Sequence, residues 1–167
     1  MSDETAAPET VTPDRQAIRD EIKATRTAFH ELLDSLSDED WKKKSANPAW
    51  SVGQLMWHLG RGMEFFPQGI EHCRKGRGPN PPSFLIGPGN VLLTRFGSRG
   101  ATPASAREKY DRGHEALLAC LESVGDDEWG KSARIYGSDY TIESTFGEVA
   151  EHYREHELDI LKGLGRI

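Results

Sequence analysis

The chain has 167 residues, 36% of them hydrophobic and 29% charged, with a formal net charge of -6; that length suits one domain with one core, and the composition is too apolar for a disordered chain. The longest basic run, Lys42-Lys43-Lys44, is too short to track a nucleic-acid backbone. No apolar stretch approaches the ~20 residues needed to span a bilayer, so neither nucleic acid nor a membrane is expected as a partner.

Residues 1–12 are acidic and contain proline, with no positive stretch leading into an apolar one. They lack a secretory pattern and are expected to form a flexible tail ahead of a domain spanning 13–167. Thr12-Pro13-Asp14 reads as a helix start, and Ile18, Ile22, Phe29, Leu32, Leu33 and Leu36 then recur at helical spacing over about 13–36. Ser37-Asp38-Glu39-Asp40 and Asn47-Pro48 interrupt that pattern. Ser51 is placed to cap a second helix, whose stripe runs Val52, Leu55, Met56, Leu59, Met63, Phe66, Ile70; Pro67 should kink it or end its regular part.

Residues 76–102 read as a long Gly/Pro-rich loop between the second and third helices, yet one carrying Phe84-Leu85-Ile86 and Val91-Leu92-Leu93. Long connections are often functional, and a solvated linker would not carry so much leucine and phenylalanine. This segment is expected to pack over one end of the domain, as a lid or as dimer surface. Thr102-Pro103 opens a third helix with Ala106, Tyr110, Leu117, Leu118 and Leu121 on one side, ended by Gly125-Asp126-Asp127. Tyr136-Gly137-Ser138-Asp139-Tyr140 leaves room for a short extended piece. A fourth helix follows from near Ser144, with Glu148 in its first turn and Phe146, Val149, Tyr153, Ile160, Leu161 and Leu164 along it. Four amphipathic helices without convincing strands predict an all-α four-helix bundle.

A faint internal echo supports that arrangement. Leu33-Asp34-Ser35-Leu36 followed by Trp41 parallels Leu118-Ala119-Cys120-Leu121 followed by Trp129, and each precedes a helix bearing histidine. Two pseudo-equivalent hairpins would turn those histidine helices toward each other.

His152 and His156 are four residues apart, which puts both on one helix face with Cβ atoms ~5–6 Å apart. Their row continues to Val149 and Ile160, so it points inward. His58 borders the apolar stripe of the second helix, and facing helices of a bundle are where metal sites are built. Three neutral imidazoles, His58, His152 and His156, would hold one divalent ion and leave open positions, as catalytic sites do. Glu148 lies one turn before His152, where it could orient that ring from behind; the helix dipole explains an acid there equally well. His152-x-x-Glu155-His156 also fits the inverted zinc-protease signature, but Glu155 lies on a different helix face, and such enzymes need a further acidic ligand well downstream whereas eleven residues follow His156. His30, His72 and His114 lack partner spacing and are expected at the surface. The four tryptophans, Trp41, Trp50, Trp57 and Trp129, read as core or helix-end packing. Cys73 and Cys120 form no C-x-x-C and read as free thiols of a cytoplasmic protein.

The order Trp50-Ser51-Val52, His58-Leu59, then His152-Tyr153-Arg154-Glu155-His156 resembles the DinB-like (YfiT/BstA) metal-dependent enzymes, over about residues 13–165. The resemblance implies a divalent metal, zinc or nickel, on the three histidines. It also implies a homodimer, a small-molecule substrate, and in some members a low-molecular-weight thiol such as bacillithiol or mycothiol as co-substrate. The long segment after the second helix departs from the family pattern. The leading expectation is transfer of a thiol to an electrophile; the alternatives are hydrolysis at the same metal, or a helical bundle that serves as a non-enzymatic interaction protein.

Overall fold

In the computed structural model, which describes residues 12–167, each long helix begins at a side chain able to satisfy its free backbone N–H groups. The expected N-terminal tail lies almost wholly outside the described residues. Helix α1, Arg15–Asp34, is capped by the Asp14 carboxylate, which accepts from the N–H groups of Gln16 and Ala17. Thr12 therefore precedes the cap rather than forming it. Ser37 closes a capping box with Asp40 over a short helix, α2 (Asp38–Lys42), where the sequence pattern had suggested only an interruption. Ser51 and Gln54 form the next box and start α3, Val52–Lys75. Gly76 ends it in the left-handed region at φ 65°, the conformation that favours glycine past a helix end.

Pro67 does not end α3, which runs on to Lys75. Tertiary packing outweighs the lost hydrogen bond: α3 is flanked by both later long helices, and its backbone at Met63 is met so closely by Gly113 that a Cβ there would lie 2.7 Å from the Met63 carbonyl carbon.

The expected loop at 76–102 is the largest correction, because it contains a fourth helix, α4, Ser83–Gly97, with Pro88 inside it. Phe84-Leu85-Ile86 and Val91-Leu92-Leu93 stand seven residues apart, two helical turns, a helical spacing that holds despite the local glycine and proline, although Phe84, Leu85, Leu92 and Leu93 stay exposed. Thr94 is fully buried, and Gly97 lies so close to Trp57 of α3 that a Cβ would meet the ring at 2.4 Å.

Helix α5, Pro103–Ser123, starts as expected, with Thr102 as cap and proline in the first turn. A two-stranded antiparallel hairpin follows, β1 (Ser132–Ile135) and β2 (Ser138–Thr141), with Ile135 opposite Ser138. The chain is therefore not wholly α. Its two-residue turn, Tyr136-Gly137, has φ 48° and 84°, the pair of positive values that matches hairpin twist. Asn80 straps residues 76–82 to this hairpin, donating to the Arg134 carbonyl and accepting from the Gly137 N–H.

The last helix, α6 (Ile142–Gly163), is capped by Thr141 with Ser144. It begins two residues before the expected start, so the acid in its first turn is Glu143, and Glu148 sits a turn further in. The long helices pack α1 on α5 and α6, and α3 on α5 and α6, around a core that includes Ile22, Phe29, Leu55, Leu59, Tyr110, Leu117, Ile142 and Ile160. The hairpin rests against α3. No helix among the described residues is long and apolar enough to cross a membrane.

Candidate metal centre

The two histidine-bearing helices, α3 and α6, pack on each other. One nitrogen from each of His58, His152 and His156 lies within 4.8 Å of the other two. The rings meet edge to face, with centroids 5.1 Å apart for His58 with each of the others and 4.8 Å for His152 with His156. His58 and His156 are buried and His152 is half-buried. The Nε2 atoms of His58 and His152 are 3.1 Å apart. That separation suits one N–H···N hydrogen bond, or two ligands at ~2.0–2.1 Å from a shared ion in near-tetrahedral geometry.

Neighbours fix the rings from behind. His156 Nδ1 is 3.3 Å from Asp159 Oδ2; an ionised carboxylate only accepts, so the proton sits on Nδ1 and the Nε2 lone pair is free. His58 Nδ1 is 3.3 Å from Thr94 Oγ1, which can accept from it in the same way. Trp50 stacks on His58 with centroids 4.6 Å apart and stands edge-on to His156 at 6.0 Å. On the other side, Gly62 makes room for His152: a Cβ there would lie 2.7 Å from its Cε1.

Burial holds the ring of His58 neutral and lowers its pKa to about 3, with the neighbouring His152, His156 and Arg61 adding to the effect. His152 is lowered to about 4 by burial, then by His156. Both are therefore unprotonated at neutral pH, the form that ligates metals. A donor set of three convergent imidazoles, two with Nδ1 held by oxygen partners, fits a divalent ion of the zinc or nickel type.

Glu148 shares a cavity wall with His152, but no hydrogen bond joins them among the described residues. Burial raises its carboxyl pKa, helped by Glu151 and Glu155. Glu155 is exposed, so the protease-like reading of His152-x-x-Glu155-His156 has no acid at the centre. His30 and His114 depart from the expected surface position. His30 is half-buried with Nε2 2.8 Å from Asp111, and His114 is buried with neither ring nitrogen hydrogen-bonded. His72 has Nδ1 3.2 Å from the carbonyl oxygen of Arg77. Cys73 is a buried free thiol and Cys120 a half-buried one.

His58 and His152 open onto a cavity of about 530 Å³. Phe65, Phe66, Leu85, Ile135 and Tyr136 give it apolar walls, from α3, α4 and the hairpin. Sequence reasoning missed Thr94 and Asp159. Asp159 had a signal, a carboxylate at i+3 from His156; Thr94 had none, because its helix was not recognised.

A family model for the DinB superfamily matches residues 21–160. The crystal structure of a mycothiol-dependent maleylpyruvate isomerase superposes with a TM-score of 0.70 at 11% sequence identity, covering 89% of this chain and 61% of that one. The chain thus spans less than two thirds of that enzyme's length, and at this identity the likeness is one of fold. No curated protein matches the chain in sequence.

Proposed function

The chain belongs to the DinB superfamily, and from that premise we propose that it is a metal-dependent enzyme joining a low-molecular-weight thiol to an electrophilic small molecule. In this reading α1, α3, α5 and α6 form the family's four-helix bundle, and His58, His152 and His156 hold one zinc or nickel ion. The observation that carries it is the convergence of three imidazole nitrogens, two of them from histidines that line an apolar cavity.

A divalent ion there supplies Lewis acidity that favours the ionised form of a bound thiol. The protein's own residues do the rest. Asp159 and Thr94 fix ring orientation, and the apolar walls exclude water, which strengthens every polar interaction inside. The thiol gives up its proton, its sulfur bonds to the electrophilic carbon, and the bond from that carbon to its leaving group breaks, the leaving group (chloride in the test below) departing with the electron pair. In this reading Glu148, which lines the same cavity, receives that proton. Free Cys73 and Cys120 suit a reducing cytoplasm.

The proposed homodimer forms through the outer face of α4, where Phe84 is 73% and Phe96 55% exposed beside Leu92. An apolar face of this kind is self-complementary about a two-fold axis.

The test is elemental analysis of purified protein alongside turnover of a chlorodinitrobenzene with a panel of thiols. One ion per chain and metal-dependent turnover are expected, both lost in His58→Ala, His152→Ala and His156→Ala. Wild-type metal content in all three variants would overturn the assignment.

A further inference from the structure

Arg61 lies one turn beyond His58 on α3, close enough in sequence for the two side chains to share a helix face, and it lines the same cavity. Its surroundings are unusual for this chain. Other half-buried arginines sit beside carboxylates, Arg26 with Asp111 and Arg74 with Glu71 and Glu128. Among the described residues no carboxylate lies within salt-bridge distance of Arg61. Glu148, on the cavity wall, does not pair with it. The guanidinium has one hydrogen-bond partner, Asn90 Oδ1 of α4, at a long 3.5 Å.

A guanidinium beside aromatic and aliphatic walls, with most of its N–H groups unpaired, is under-satisfied in the free protein. The amide of Asn90 turns its oxygen to Arg61, which leaves its NH₂ as a further donor on the same wall. Together they make a donor-only corner with one positive charge. The planar fork of arginine matches a carboxylate with two parallel hydrogen bonds. The rest of the cavity, with Phe65, Phe66 and Tyr136, suits a flat or aliphatic body.

We propose that Arg61, steadied by Asn90, recognises a carboxylate on the small molecule that enters this cavity. The class of ligand is an organic acid with an apolar body, its carboxylate held beside the histidine cluster. This rests on reading the cavity as the substrate site, but not on the presence of metal. Arg61 thereby sets specificity, excluding neutral molecules of the same shape.

The test uses benzoate and its neutral isostere benzamide as probes, titrated calorimetrically into wild-type, Arg61→Gln and Arg61→Lys proteins, each metal-free and zinc-loaded. Benzoate is expected to bind metal-free wild-type protein at millimolar concentration. It should bind at least about tenfold more weakly to Arg61→Gln, the loss of a charge-assisted pair, with Arg61→Lys between them. Benzamide binding should be weak and unchanged by either substitution. Circular dichroism and the unfolding midpoint show that the variants remain folded. Equal affinity of wild type and Arg61→Gln for benzoate overturns the proposal, as does wild-type protein that fails to bind benzoate or binds benzamide as tightly. Because the metal-free arm carries the result, zinc stoichiometry can fail while Arg61-dependent binding stands, and the reverse. Displacement of benzoate by N-acetylcysteine but not by its amide supports the proposal and puts the carboxylate on the thiol; Arg61-dependent benzoate binding that neither displaces supports it and puts the carboxylate on the acceptor.

Discussion

Helices α3 and α6 bring the histidines together from inside the core, whereas α4 reaches the same site from outside it. Along α3, twelve residues from Val52 to Cys73 are buried; along α4 only Thr94 is. The first pair is embedded in the core, and its histidine rings are hemmed in by neighbours such as Gly62 and Trp50. The second is held by one edge and leaves Phe84, Leu92 and Phe96 uncovered. The difference separates a core pair that carries the three histidines from a surface helix that adds Thr94 and one wall of the cavity.

The sharpest way to break that division is Gly62→Ala. Its methyl would fall 2.7 Å from His152 Cε1, so the ring must leave the cluster or α3 must shift. We expect metal affinity to fall roughly 100-fold, as when a ligand's orientation is lost, at a stability cost of about 1–3 kcal/mol. Chelator competition and thermal unfolding measure the two.

Next in size are the groups behind the rings. Asp159→Ala removes the carboxylate that fixes the proton on His156 Nδ1, and should weaken metal binding about 10- to 100-fold. Thr94→Val removes the oxygen facing His58 Nδ1 and should cost about tenfold or less, since its helix is the loosely held one. A larger effect from Thr94→Val than from Asp159→Ala would show that α4 belongs to the rigid part of the site.

Leu92→Glu is expected to leave metal content unchanged while shifting the mass measured by light scattering from dimer to monomer. Unchanged mass would remove α4 from the interface.

The smallest effect lies away from both regions and serves as a control. The Glu128 carboxyl is lowered to about 2 by the Gly125 N–H, then Lys131 and Arg74. With an unfolded value of 4.5, its contribution is complete above that pH and is lost as pH falls from about 4.5 toward 2. Glu128→Gln should flatten the acid limb of the stability curve in that window without altering metal binding.

Much of this was legible in one dimension. Ser51 and Thr102 mark helix starts because a short hydroxyl reaches backbone N–H groups wherever it stands, and the stripe from Val52 to Ile70 forms a buried face because periodicity is a local property. The spacing of His152 and His156 put them on one face for the same reason. The segment at 76–102 misled because its glycines and prolines state a local preference that packing on α3 overrides. Pro67 likewise stands inside a helix that continues past it.

The sequence alone determined that His58, His152 and His156 stand on two helices beside their apolar stripes, since that follows from residue type and short-range spacing. Only the tertiary structure decided that His58 meets the other two, that Thr94 and Arg61 stand beside them, and that α4 roofs the cavity. Those are contacts between residues far apart in the chain, and no local rule of spacing specifies where two distant helices cross.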